Sequence, residues 1–282
     1  MIQGRLQKFS TRGCTALITG ATAGLGSEFA KQLAPVAARL ILVGRREGRL
    51  EELSAALKKS FPSLRLDTHR ADLSLSNERL NLSSWIIREQ IPVNLLINNA
   101  GLGDLGTFDT AEWERIAPML EVNVTALTHL THLLLPMLRA QSPSGILNVS
   151  SVAGFYPLPE MAVYAATKAY VTSFSEALRI ELAPEGINVM ALCPGPVPTE
   201  FFDVAGRSGE TIRAMERTHP SLASTPELVI RQALIGLEHD KPGVIPNPLL
   251  ALLVRGSRLL PFPVIREAIR LGMGPKRPRK VY

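Results

Sequence analysis

The chain has 282 residues, 46% of them apolar and 20% charged, with a net charge of +6. This is ordinary globular usage, enough for one large α/β domain or two small ones. The two cysteines, Cys14 and Cys193, fall in apolar strand-like runs and read as buried free thiols, so neither a disulfide framework nor an oxidising compartment is called for. Met1 to Arg12 is polar and lacks an apolar core, so no signal peptide is expected. No uncharged apolar stretch reaches the roughly 18 residues that a bilayer-spanning helix needs.

Short apolar runs alternate with longer helical patterns. Thr15–Ile18, Leu40–Val43, Leu95–Ile97, Ile146–Val149 and Ile187–Leu192 predict strands covered on both faces. Leu64–Leu66 is a weaker strand and Val244–Ile245 a short last one. Between them, helices are predicted over 24–38, 48–60, 77–90 and 162–183. Asp109, with Glu112 three residues on, reads as the N-cap of one long helix towards Arg139. The β-α-β-α order predicts a single doubly wound parallel sheet of about seven strands with helices on both faces. Residues 1–246 form the expected domain and 247–282 a helical extension ending in a basic tail.

In Thr19-Gly20-Ala21-Thr22-Ala23-Gly24-Leu25-Gly26, glycines follow a strand and open a helix. Missing Cβ atoms permit a tight turn and close approach to a diphosphate, and a helix N-terminus offers free N–H groups to that anion. Further on stand Asn98-Asn99-Ala100-Gly101, Asn123, Ser151, Tyr164 with Lys168 four residues later, and Pro194-Gly195-Pro196-Val197-Pro198-Thr199. Together, in this order and spacing, they resemble the short-chain dehydrogenase/reductase superfamily over about Thr11 to Thr199. The resemblance implies a Rossmann-type fold, a nicotinamide cofactor and a carbonyl/alcohol substrate.

The turn residues Gly20, Thr22, Ala23, Gly24, Leu25 and Gly26 would then hold the cofactor diphosphate. After the second strand the chain reads Val43-Gly44-Arg45-Arg46, with no carboxylate for ribose hydroxyls. Guanidinium matches phosphate geometry, so Arg45 first and Arg46 second predict NADP(H) over NAD. By resemblance, Asp72 with Leu73 caps the adenine, and Asn99, Ala100 and Gly101 pass beside the adenine-side ribose. Pro194, Gly195 and Val197 shape the turn beneath the nicotinamide, and Thr199 meets its carboxamide.

A tyrosine and a lysine four apart share one helix face. The ammonium of Lys168 is expected to lower the phenol pKa of Tyr164, making it general acid for reduction and general base for oxidation. Lys168 would also hold the nicotinamide ribose. The resemblance selects Ser151, thirteen before the tyrosine, over Ser150 as the residue that anchors the carbonyl oxygen. It gives Asn123 the task of bending its helix and steadying a water that leads from Lys168. The scattered histidines complete no metal site.

Phe155, Tyr156, Leu158, Met161, Phe201 and Phe202 suggest an apolar substrate pocket, and 206–220 a lid. The expected reaction is reduction of an apolar ketone, aldehyde or 3-oxoacyl group. A non-catalytic NADP-sensing module is the alternative from another class, and the complete Ser-Tyr-Lys-Asn set argues against it. The extension carries Leu249–Val254 and then the stripe Val264, Ile265, Ala268 and Ile269 opposite Arg266 and Arg270. Packing on the parent domain is the preferred reading, and contact with a membrane surface, as in a reductase of acyl or steroid-type ketones, is the alternative. Lys276-Arg277-Pro278-Arg279-Lys280 reads as a solvated end, with no nucleic-acid motif beside it. A homodimer is implied by the resemblance, and a cytoplasmic location, peripheral to a membrane in the alternative, is expected.

Overall fold

The computed structural model describes residues 8–207 and 220–272. The basic tail, and all of the expected lid except its first two residues and its last, lie outside them. Seven strands form one parallel sheet in the order β3-β2-β1-β4-β5-β6-β7. They are β1 (Thr15–Thr19), β2 (Arg39–Gly44), β3 (Arg65–Arg70), β4 (Leu95–Asn98), β5 (Ser144–Val149), β6 (Ile187–Leu192) and β7 (Gly243–Val244). The order reverses between β1 and β4, where the crossovers diverge and open a crevice at the strands' carboxyl ends.

The unbroken apolar runs follow from burial on both faces. Ala16 and Ile18 of β1 enter one core layer while Leu17 enters the other, and β2 divides Leu40 and Leu42 from Ile41 and Val43 in the same way. One layer is closed by α1 (Gly24–Leu33), α2 (Glu47–Ser60) and α8 (Pro226–Glu238), through Phe29, Leu50 and Ile230. The other is closed by α3 (Ser76–Arg88), α5 (Leu127–Ala140) and α6 (Ala162–Leu182), through Leu82, Leu134 and Leu182. Cys14 and Cys193 are buried free thiols.

Three elements depart from expectation. Helix α1 stops at Leu33 rather than Ala38: Ala34 still has helical backbone angles, but Pro35 has no N–H to donate to the Lys31 carbonyl and its ring crowds that carbonyl. Strand β3 runs to Arg70. It lies at the sheet edge and none of its residues is buried, and Asp67 and His69 hid it from a search for apolar runs. The single long helix opening at Asp109 is not formed. Asp109 sits in a short 3-10 turn, α4 is Trp113–Leu120, and a π-helical stretch, Glu121–Ala126, joins it to α5. Pro118 removes one backbone donor inside α4. Asn123 lies in the π stretch, with its side chain hydrogen-bonded outside the helix, as described below.

Beyond β7, α9 (Pro248–Ser257) is capped by Asn247, whose Oδ1 accepts from the Leu250 amide at 3.1 Å. Its inner stripe packs on the domain through Leu250 and Val254, whereas Leu249, Leu252 and Leu253 are exposed. In α10 (Phe262–Gly272) none of residues 262–271 is buried. The extension therefore packs on the domain along only half of α9. No helix among the described residues is long and apolar enough to cross a membrane.

Candidate active site

A cavity of about 520 Å³ opens along the carboxyl ends of β1, β2, β4, β5 and β6. Its first wall is the glycine turn. Gly24 begins α1 with φ +51°, and no side chain caps that helix, so its first amides face the cavity. A Cβ on Gly26 would stand 2.1 Å from the Gly20 carbonyl oxygen and 2.6 Å from Asn99 Nδ2. Only glycine lets the helix lie this close to the turn. Gly26 thus shapes the wall from behind, while Gly20, Thr22, Ala23, Gly24 and Leu25 line it. The Thr19 hydroxyl accepts from the amides of Asn99 and Ala100 at 2.9 and 3.0 Å, and Asn99 Nδ2 donates to the Thr19 carbonyl at 2.8 Å. These bonds pin the Asn99-Ala100-Gly101 segment across the turn.

At the far end of this wall, a Cβ on Gly44 would meet Thr22 Cγ2 at 2.6 Å. A side chain there would have to displace that methyl, and the second strand ends on a glycine with no carboxylate. Arg45 follows, more than half exposed and 4.0 Å from Asp72. Arg46 is held differently: its Nη1 pairs with Glu200 at 2.9 Å and its Nη2 with the Thr22 hydroxyl at 3.3 Å. Arg49 also pairs with Glu200, so two guanidinium groups strap the loop after β6 to the loop after β2. Asp72 is partly buried, which works against its charge. Hydrogen bonds from Ser74, with Arg45 and Arg70 nearby, outweigh this and hold its pKa below the usual carboxylate range.

The second wall joins β5 to α6. The Ser150 hydroxyl donates to the Lys168 carbonyl at 2.8 Å and lies 2.7 Å from the Thr172 hydroxyl. Ser150 is therefore committed to the fold. Ser151 opens a 3-10 turn, accepts from the Ala153 amide at 3.1 Å and keeps its hydroxyl at the cavity. That turn lies directly on α6, because a Cβ on Gly154 would be 2.7 Å from the Lys168 backbone. Lys168 Nζ donates to the Val149 carbonyl at 2.8 Å and lies 5.7 Å from the Tyr164 ring centre.

Burial dominates both titrating groups. It pushes Tyr164 up to about 12, with the Ser151 hydroxyl pulling weakly the other way, and Lys168 down to about 8. The expected lowering of the phenol by the ammonium is not found: Lys168 spends its proton on a backbone carbonyl, and desolvation prevails. At neutral pH the phenol is protonated.

Asn123 does not line the cavity. Its Oδ1 accepts from the Leu102 amide at 2.8 Å, and its Nδ2 donates to the Leu102 carbonyl and the Thr167 hydroxyl. It ties the π stretch to the segment after Gly101 and to α6. Phe155 and Tyr156, expected at the substrate, do not line the cavity either. The Tyr156 hydroxyl lies 2.9 Å from that of Ser257, and Phe155 lies under the Arg258 guanidinium, so both hold α9. The apolar lining beside Tyr164 comes instead from Leu158, Met161, Phe201 and Phe202, with Leu102 and Val204. The Phe201 ring centre is 5.3 Å from that of Tyr164. Pro194, Gly195, Val197 and Thr199 form the floor, and Leu73 lies by Asp72.

Three groups carry no motif and were not anticipated. Buried Asp104 accepts from Arg115 Nε at 2.9 Å and also pairs with Arg207. Arg115 reaches on to the carbonyls of Val204 and Ala205, each at 3.0 Å. This cluster fastens α7 (Phe201–Ala205), and with it Phe201, over the cavity.

A family model described as short chain dehydrogenase matches residues 14–208. The chain belongs to the short-chain dehydrogenase/reductase family. It is an oxidoreductase of that family with the parallel sheet its relatives share. The very-long-chain 3-oxoacyl-CoA reductase-B of Danio rerio is 28% identical over 285 residues, covering 96% of this chain and 83% of its own length. A short-chain dehydrogenase from Sphingobium yanoikuyae, solved with NADPH, is 31% identical with a TM-score of 0.76, over 95% of this chain and 98% of that one. A Burkholderia phymatum short chain dehydrogenase/reductase solved with NAD is 25% identical, with a TM-score of 0.79 over 97% of this chain and all of that one.

In this short-chain dehydrogenase/reductase the Asp104 cluster predicts a specific failure. Asp104→Ala removes the carboxylate that pairs with both guanidinium groups, leaving them only their hydroxyl and carbonyl partners, and costs about 2 kcal/mol of stability. With α7 released, the KM for a small-molecule substrate should rise about tenfold while affinity for the nicotinamide cofactor changes little. Steady-state kinetics and a urea titration check both.

Proposed function

We propose that the protein is an NADPH-dependent reductase of an apolar ketone or aldehyde, with a 3-oxoacyl thioester as the leading substrate class. The observation that carries this reading is one cavity with Ser151, Tyr164 and Lys168 at an apolar end and the uncapped start of α1 with Arg45 at a basic end. The residues fit a dinucleotide phosphate. Amides of α1 and the glycine turn suit a diphosphate, and a glycine rather than a carboxylate at position 44, followed by Arg45, suits a 2′-phosphate. The solved relative with NADPH supports this choice over NAD, which the other solved relative carries.

When bound, NADPH supplies the hydride. Tyr164, kept protonated by burial, donates its proton to the carbonyl oxygen as negative charge grows there. Ser151 donates a hydrogen bond to the same oxygen. Lys168 is anchored on Val149 and keeps its charge near the phenol, stabilising the phenolate left behind. Asn123 acts on positioning, by holding α6 and the Leu102 segment in register. The apolar wall of Leu158, Met161, Phe201 and Phe202 excludes water and accepts a hydrocarbon substituent. The zebrafish relative named for very-long-chain 3-oxoacyl-CoA supports the acyl class.

Tyr164→Phe should lower kcat for ketone reduction by about 10²–10⁴-fold while leaving NADPH binding intact. The check is cofactor oxidation with a panel of 2-alkanones and 3-oxoacyl thioesters, alongside NADPH fluorescence. Native protein that binds NADPH and reduces no member of the panel would favour a cofactor-sensing module. Arg45→Ala should raise the KM for NADPH by about 10-fold or more, through loss of a charge-assisted contact, and that for NADH hardly at all. Equal changes would remove the 2′-phosphate role.

A further inference from the structure

The described part of the extension presents large apolar side chains to solvent on one connected run. Leu252 is 68% exposed, Leu259 87% and Leu271 70%, with Leu253, Phe262 and Val264 between them. Exposed Arg255, Arg258, Arg266 and Arg270 accompany them, Arg258 resting on the Phe155 ring and Arg270 paired with Glu267. Charge along the chain is partitioned in the same place. Residues 248–282 contain eight arginines and lysines and one acid, Glu267, whereas the first 247 residues contain 23 basic and 24 acidic side chains. The net charge of the whole chain thus resides in its last eighth.

From this surface we infer that α9 and α10 dock the protein onto an anionic lipid bilayer. Exposed leucines at i, i+3 and i+4 on α9 (Leu249, Leu252, Leu253) and a mixed apolar–basic α10 match a helix lying in the headgroup plane: hydrocarbon enters the acyl boundary while guanidinium groups meet lipid phosphate and carboxylate. A second copy of the chain fits this surface poorly, because it would bring four further exposed arginines against Arg255, Arg258, Arg266 and Arg270. The placement of α9 gives the docking a consequence. Leu250 fills the space above Gly195, which has no side chain, and Ser257 meets Tyr156 beside the serine turn, so the bilayer would lie next to the cavity's rim. Resting on the proposed reductase reading, this arrangement gives a long-chain carbonyl a route from lipid into the apolar end.

The test uses the full chain and sedimentation with vesicles of phosphatidylcholine, with and without phosphatidylserine, at low and high salt. Binding is read without reference to turnover, so its failure is separate from failure of the reductase reading. The protein should pellet with the phosphatidylserine vesicles and be released by salt. Arg255→Gln with Arg266→Gln should weaken that binding about twenty-five-fold, at about fivefold per arginine. Leu252→Gln with Leu259→Gln should weaken it about tenfold. Both double variants should retain native turnover of a water-soluble ketone, which confirms folding. Native protein that stays in the supernatant, or variants that bind as well as native, would overturn the inference. So would sedimentation velocity showing that the leucine pair instead dissolves a dimer.

Discussion

The site depends on a reciprocal clasp between the end of β5 and the middle of α6. Ser150 donates to the backbone of Lys168, the Lys168 side chain donates back to the backbone of Val149, and Gly154 lets the intervening turn rest on the helix. Nearly all of these groups are buried, so an unmade bond would leave a polar group without water and at substantial cost. The clasp fixes Ser151 relative to Tyr164. It also removes the lysine ammonium from solvent and thereby lowers its pKa. Positioning and electrostatic tuning follow from one packing arrangement.

The other walls are tied to that clasp by polar bonds at a distance in sequence. Asn123 links α6 to the segment after Gly101, Thr19 links that segment to the glycine turn, and Glu200 links the floor to Arg46 and Arg49. The cavity is consequently continuous from the basic end to the apolar end. Leu250 above Gly195 makes α9 part of the same assembly, although its outer face and α10 stand apart from the core.

Much of this was legible in the sequence, for identifiable reasons. Doubly covered strands need unbroken apolar runs, and Leu40–Val43 or Ile187–Leu192 cannot easily be read otherwise. The glycine turn and the Tyr164/Lys168 pair depend on local spacing, which a sequence displays directly. Edge strand β3 was shortened because exposure lets polar residues in. The π stretch was invisible because its cause, Asn123 bonding to Leu102 and Thr167, is tertiary. The Asp104–Arg115–Arg207 cluster joins positions about a hundred residues apart without any local signal. Phe155 and Tyr156 were apolar residues in the expected place, yet the extension claims them. Gly154 alone had a usable signal, a glycine three residues after the serine in a turn that must lie against a helix.

The measurement that bears most directly on the clasp is single-turnover reduction of a ketone by Gly154→Ala, with NADPH binding and thermal stability followed in parallel. The added methyl would stand 2.7 Å from the Lys168 backbone, which cannot yield as a flexible side chain would. The account predicts a folded protein that binds NADPH nearly as before, because the glycine turn is on the other wall, and reduces ketone at least about a hundredfold more slowly. A rate within about twofold of native would contradict it, since Ser151 and Tyr164 would then not depend on this contact for their geometry.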